Sequence, residues 1–112
     1  MNIEALREFC KSLPSVTEDV KWGDDLCFCI GEKMVCVTNL SGSFSVSLKV
    51  KDDEFDVLSN SEGIKPAAYV ARYKWITIND ANKFSKKQWE HYVQQSYYLV
   101  KAKLPKKILD NL

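Results

Sequence analysis

The chain has 112 residues, of which 46% are hydrophobic and 12% aromatic, so it is long enough for one buried core and too short for two. No apolar run approaches the ~18–20 residues that cross a bilayer, and the N-terminus carries charges where a signal peptide needs apolar residues. We therefore expect a cytoplasmic protein with no membrane partner and reduced cysteines.

The net charge of +1 conceals a basic second half: residues 63–112 hold 10 Lys/Arg and 3 Asp/Glu, whereas residues 1–62 hold 6 Lys/Arg and 12 Asp/Glu. A basic segment attracts polyanions, unless folding interleaves the two halves.

The first two predicted elements are a helix and an edge strand. Asn2 can cap a helix whose apolar residues recur at helical spacing. Pro14 disfavours helical backbone at Leu13, so this helix should end near Ser12. Apolar and polar residues then alternate over residues 15–22, which predicts an edge strand.

Residues 26–50 contain three apolar runs, each alternating with period two. This pattern is typical of strands with one buried face, and it predicts an antiparallel meander. Gly31 and Glu32 fit a two-residue hairpin loop between the first two strands. The pairs that this loop predicts are Ile30 with Lys33, Phe28 with Val35, and Cys27 with Cys36.

The chain beyond the meander contains weaker signals. The acidic residues 52–54 are typical of the start of a helix. Residues 64–69 include a proline and predict an irregular approach to the next strand. Residues 73–78 alternate again, and Trp75 should project from that strand on the side opposite the core.

The longest predicted helix begins after Ser85, which has capping-box spacing to Gln88, and it should break at Pro105. Together the elements predict an α+β fold: a two-layer sandwich in which an antiparallel sheet of about five strands carries the N-terminal, middle and C-terminal helices on one face. The predicted core layer consists of Phe28, Ile30, Val35, Val37, Val46, Leu48, Ile76 and Ile78 against Leu6, Phe9, Trp89, Val93 and Val100.

We predict no catalytic residue, no cofactor and no metal site, and therefore a protein that is not an enzyme. The single histidine, His91, should lie on the solvent side of the last helix. The acidic clusters fit turns and helix starts, and the sequence has neither a CxxC motif nor a phosphate-binding glycine loop. Three cysteines, Cys27, Cys29 and Cys36, would share one face in the predicted register. They could bind a soft metal, but free cysteine is also a common small apolar residue.

The sheet face away from the helices is the candidate binding surface. Lys49 and Trp75 should lie on this face, and Arg72 and Lys74 should lie on its rim. An aromatic ring beside cations can stack on a base or contact a phosphate, as in sheet-based nucleic-acid modules. The alternative is that Trp75 is packed under a loop.

Several segments in order resemble the MmcQ/YjbR family of small bacterial proteins, which are usually labelled DNA-binding. They are IEALREFCKSLPSVTEDVKWG, FCIGEKM, VSLK, IKPAAYVARYKWITI and QSYYLVKAKLPKK, and they cover nearly the whole chain as one domain. The resemblance implies a frataxin-like (CyaY-like) or secretion-chaperone-like α/β sandwich with a non-enzymatic, DNA-binding role, for which a double-wing arrangement has been proposed. Tyr69 replaces a histidine of the family pattern, whereas Arg72 and Lys74 retain basic charge.

Two function classes follow from these observations. The first is a DNA-binding module that contacts phosphates through Lys49, Arg72, Lys74 and Trp75, to which the C-terminal lysines could add, weakly and with little dependence on sequence. The second is a protein-interaction or chaperone-like domain that receives another protein on the open sheet face or on an edge strand. The sequence leaves the oligomeric state open.

Overall fold

The computed structural model describes all residues from Met1 to Leu112 as a two-layer α+β sandwich. Its six strands are antiparallel and lie in the order β1-β2-β3-β4-β6-β5. The strands are β1 Thr17–Lys21, β2 Asp25–Ile30, β3 Lys33–Asn39, β4 Val46–Lys49, β5 Ile64–Pro66 and β6 Trp75–Ile78. The helices are α1 Ile3–Ser12, α2 Asp52–Ser59, α3 Lys86–Lys101 and α4 Lys106–Leu109. No helix is long and apolar enough to span a bilayer.

The helix boundaries follow the capping signals in the sequence. The Asn2 side chain accepts a hydrogen bond from the Ala5 N–H, and α1 ends at Ser12 as predicted. Ser85 and Gln88 form the reciprocal capping box at the start of α3. Local side-chain chemistry therefore sets where these two helices begin.

The sheet has one strand more than the sequence indicated. Residues 64–66, predicted to be irregular, form β5 and pair with β6. The prediction that the last strand begins at Tyr73 was also wrong, because residues 71–73 form a 3₁₀ turn. Lys74 then adopts a left-handed conformation with φ of 66°, and the strand begins at Trp75.

A β-bulge in β3 changes the predicted register. Ile30 pairs with Lys33 as predicted, but Phe28 pairs with Cys36 rather than with Val35, so Val35 is an extra residue in β3. The predicted Cys27–Cys36 pair was therefore wrong, and Cys27 instead lies opposite Val37. Because side chains alternate between faces, this one-residue shift moves Cys36 to the helix side.

The bulge also corrects the predicted core layer. Val37 shares the open face with Cys27, whereas Cys36 joins the buried cluster beneath the helices. The other residues of the predicted core layer are confirmed as part of the core or packed against it. Tyr97, which the predicted layer did not include, is also buried. The Tyr97 hydroxyl donates a hydrogen bond of 2.7 Å to the Pro14 carbonyl and so connects α3 to the end of α1.

Gly31 in the β2–β3 loop is approached by the C-terminal segment. A Cβ at this position would lie 2.7 Å from Ile108 Cγ2, and φ is +53°. We expect Gly31→Ala to lower the free energy of unfolding by roughly 2–4 kcal/mol, because left-handed strain and overpacking act together. Gly23→Ala is the matched control, since φ is +86° but no atom lies within 4 Å. Urea denaturation should show the larger loss for Gly31→Ala, and equal losses would contradict the packing role of α4.

Candidate functional site

One end of the sheet gathers basic side chains from separate elements. Lys49, the last residue of β4, pairs with Trp75, the first residue of β6, so Lys74 lies at the same end. Helix α3 extends toward this end, because its Ser96 hydroxyl accepts a hydrogen bond of 2.9 Å from the Lys49 N–H. The residues that follow α3, including Lys103, are therefore brought to the end of β4.

Lys49, Lys74 and Lys103 form what we call the lysine cluster. The pKa of Lys49 is lowered, first by burial and next by the positive charge of Lys103, with Lys74 adding to the effect. Asp52 acts in the opposite direction. The Lys49 ammonium donates a hydrogen bond to the Tyr73 carbonyl, which holds its charge at the rim of the sheet.

The lysine cluster contains no ion pair. The two ion pairs of the chain both involve Glu18, which binds Arg7 at 2.5 Å and Lys11 at 3.7 Å. The Lys74 ammonium lies 5.1 Å from the centroid of the Phe55 ring, a cation–π contact that does not neutralise it. The cluster therefore retains positive charge that an external anion could neutralise.

Arg72 is exposed, and part of its guanidinium group is engaged by the neighbouring Tyr73. Its guanidinium lies 4.7 Å from the centroid of the Tyr73 ring and donates a hydrogen bond of 2.6 Å to the Tyr73 hydroxyl. Since a guanidinium has five N–H donors, Arg72 keeps donors for another acceptor. It lies beside the lysine cluster in the chain, in the 3₁₀ turn before Lys74.

Trp75 lies on the open face, as its pairing with Lys49 requires, but only 7% of its surface is exposed. The alternative that this residue is packed under a loop is therefore the arrangement observed. Trp75 lines a concavity of about 710 Å³ together with residues 67–70, which lead from β5 into the 3₁₀ turn. Eight of the eleven lining residues are hydrophobic, and Asp25 is the only charged one.

Sequence reasoning missed Trp22, named Tyr69 only as the replacement of a family histidine, and included Lys103 only as one of the C-terminal lysines. The fold brings Lys103 to the lysine cluster from the far end of the chain. Trp22 and Tyr69, with 72% and 100% of their surfaces exposed, border the concavity. Their aromatic side chains in polar turns were a signal for exposed binding residues.

The three cysteines of the meander do not converge. Cys27 and Cys29 lie on the open face, whereas Cys36 is buried on the helix side near Cys10. Burial, with a smaller effect of Cys29, raises the pKa of Cys27 to about 11, so its thiol is protonated at neutral pH. All four cysteines are free. The alternative of a three-thiolate metal site is thus contradicted by the bulge.

The fold and family are supported by comparisons with known proteins. A model of the YjbR family matches residues 11–99. The crystal structure of the Deinococcus radiodurans protein DR2400, which carries the domain DUF419, superposes with a TM-score of 0.87 at 23% identity, covering 98% of this chain and 86% of that one. A Pseudomonas syringae crystal structure gives 0.73 at 20% identity, covering 88% and 98%. No significant match is found among curated proteins. The family match spans most of the chain, and the protein belongs to the YjbR family.

Proposed function

We propose that this protein is a non-enzymatic DNA-binding module that contacts phosphates through the lysine cluster at the rim of the sheet. The observation that carries the proposal is the convergence of Lys49, Lys74 and Lys103, from three separate parts of the chain, with no carboxylate ion-paired to any of them. Like charges held together at a structural cost are typical of a site that binds an opposite charge. Phosphate is the anion that the basic second half of the chain favours.

The proposed phosphate-binding surface is smaller than the one that the sequence suggested, because it excludes the middle of the open face. The concavity on the open face is lined mainly by apolar residues, with Asp25, Ser47 and Thr77, and none of its lining residues is a lysine or arginine. Phosphate contacts therefore belong to the rim, where Arg72 supplies a fourth cation. Trp75 is too covered to stack on a base without movement of residues 67–70, so its role is limited to shaping the neighbouring surface.

The expected binding is weak, tolerant of sequence and strongly dependent on salt. Lysine ammonium groups that contact phosphates release counterions but do not distinguish base pairs. The cluster lies at the end of β4, before β6 and after α3, and not on a helix face that could read the major groove.

Charge reversal in the cluster tests the proposal. We expect Lys74→Glu combined with Lys103→Glu to weaken binding to duplex DNA about tenfold or more and to flatten the salt slope by about two units, since two phosphate contacts are lost. Fluorescence anisotropy with labelled duplexes of two unrelated sequences, at several salt concentrations, measures both quantities.

Lys86→Glu combined with Lys87→Glu is the matched control. It changes the net charge equally but at the N-terminus of α3, and both residues are exposed. Equal losses in the two double variants would assign binding to net charge and contradict the cluster. Absence of binding by the folded wild-type protein at low salt would overturn the DNA proposal.

Protein interaction is the second candidate. The free edge of β1 carries the charged residues Glu18, Asp19 and Lys21, and charged side chains on an edge strand discourage pairing with another strand. The mainly apolar concavity on the open face is the observation that favours a partner other than DNA. If the anisotropy assay shows no DNA binding, an interaction on this face takes precedence.

A further inference from the structure

The concavity on the open face has the composition of a small-molecule pocket. Its volume of about 710 Å³ lies within the range of ligand sites, and its lining is mainly apolar with a few polar groups. Three aromatic side chains, Trp22, Tyr69 and Trp75, contribute to the lining, and we call this site the aromatic pocket. Met34 and Val37 of β3 supply apolar floor between them.

The three rings of the pocket make no aromatic or cation–π contact within the protein. None of the three takes part in any of the aromatic pairs or cation–π contacts of the fold. By contrast, Trp89 in the core packs edge-on against both Phe44 and Phe84. The rings of Trp22 and Tyr69, which are 72% and 100% exposed, are therefore available to a ligand, whereas Trp75 lines the pocket but is largely covered.

The two exposed rings are held by unusual backbone. Trp22 and Tyr69 have φ values of 53° and 68°, in the left-handed region that bulky residues rarely adopt. Such conformations persist where the surrounding structure imposes them, and they cluster at binding and active sites. Here both of them place an indole or phenol beside the same pocket.

The charge of the pocket selects the class of ligand. Asp25 is the only charged lining residue, and its carboxylate takes part in no ion pair and no hydrogen bond. On the same face but outside the lining lie Asp19 and Lys21 of β1, Lys49 of β4 and Lys65 of β5. The lining itself carries one carboxylate and no cation, and a carboxylate beside exposed aromatic rings favours a cation over an anion.

We propose that the aromatic pocket binds a small organic ammonium ion carried on an apolar or aromatic body. The apolar body packs on Met34, Val37 and the indole of Trp75. The ammonium group lies toward Asp25, against the π-face of Trp22 or Tyr69. The pocket adjoins the lysine cluster at Trp75, but none of the three lysines lines it, so the inference does not depend on DNA binding.

Three probes of matched shape test the charge preference: phenethylammonium, the neutral 2-phenylethanol and the anion 3-phenylpropionate. The readout is the set of three tryptophan indole N–H signals in a two-dimensional ¹H–¹⁵N NMR titration. Trp89 is an internal reference, because it is fully buried and its indole N–H donates a hydrogen bond of 3.1 Å to the Ala81 carbonyl. Phenethylammonium should shift the signals of Trp22 and Trp75 saturably, and the Trp89 signal should stay in place.

Binding of the neutral and anionic probes should be at least about tenfold weaker, since they lose the cation–π and carboxylate interactions. Asp25→Asn should reduce the preference for phenethylammonium over 2-phenylethanol by about fivefold or more. Tyr69→Ala should weaken phenethylammonium binding, and this residue is fully exposed, so its truncation leaves the fold intact. Equal binding of the three probes would overturn the charge assignment. Absence of any shift at about 10 mM probe, roughly ten times the dissociation constant of a 1 mM site, would overturn the pocket itself.

Discussion

Replacing Trp89 by alanine should lower the free energy of unfolding by about 3–5 kcal/mol, the largest stability effect that we expect from a single substitution in this chain. The Trp89 side chain is fully buried between α3 and the sheet, edge-on to Phe44 and Phe84. Its removal leaves a large cavity and also deletes the hydrogen bond to the Ala81 carbonyl. Since small domains are stable by only about 5–15 kcal/mol, urea denaturation should show a greatly reduced midpoint or a partly unfolded protein.

Trp22→Ala is the matched control for this substitution. Trp22 is the same residue type but is 72% exposed and makes no ring contact, so its truncation should change stability by less than about 0.5 kcal/mol. A loss for Trp22→Ala comparable to that for Trp89→Ala would mean that the aromatic pocket is a structural element rather than an open site. A small loss for Trp89→Ala would contradict the described core.

Ser96→Ala should cost about 2–4 kcal/mol, an unusually large effect for the loss of one hydroxyl group. The Ser96 Oγ donates a hydrogen bond of 2.6 Å to the Val35 carbonyl and accepts one of 2.9 Å from the Lys49 N–H. These backbone groups lie at the bulge of β3 and at the end of β4, beyond the residues that the β3–β4 ladder pairs. Each buried group left without a partner costs about 1–3 kcal/mol.

Two measurements separate this role from simple packing. Ser47→Ala is the matched control, because the Ser47 hydroxyl contacts only the Thr77 hydroxyl, at 2.8 Å on the open face, and its loss should cost about 0.5–1.5 kcal/mol. Hydrogen exchange should show faster exchange of the Lys49 amide in Ser96→Ala than in the wild type. An unchanged Lys49 amide would show that Ser96 does not hold the end of β4.

The two proposed sites can be tested in the same pair of variants. The Lys74→Glu and Lys103→Glu combination should weaken DNA binding and leave phenethylammonium binding unchanged. Asp25→Asn should do the reverse, because its carboxylate lines the aromatic pocket on β2, two strands away from Lys49 on β4. Loss of both activities in either variant would indicate one shared site.

Local chemistry in the sequence was sufficient for most of the secondary structure. Asn2, Ser85 and Pro105 mark helix boundaries through hydrogen bonds and missing donors that depend only on neighbouring residues. The alternation in residues 26–50 likewise depends only on which side chains favour burial, and it predicted the meander and its buried face. The family resemblance agreed with both and is confirmed by the family match.

The register of β3 could not be predicted from the local sequence. An unbroken alternation from the Gly31–Glu32 loop predicts Cys27 opposite Cys36, and nothing in the local sequence marks Val35 as an extra residue. The bulge is held by Ser96, 61 residues away along the chain, whose hydroxyl pairs the Val35 carbonyl. This hydrogen bond between distant segments accompanies the register shift that puts Cys36 on the opposite face from Cys27. That separation excludes the three-thiolate metal site.

The candidate sites also combine features that local sequence predicts with features that only the fold produces. The sequence by itself determined the basic rim at Lys49, Arg72 and Lys74 and the side from which Trp75 projects, because both depend on strand alternation and local charge. Only the tertiary structure decided that residues 67–70 cover Trp75, that Lys103 joins the cluster, and that Trp22 and Tyr69 border one pocket with Asp25. These juxtapositions join segments tens of residues apart, and packing of the helices and loops on the sheet, rather than any local preference, brings them together.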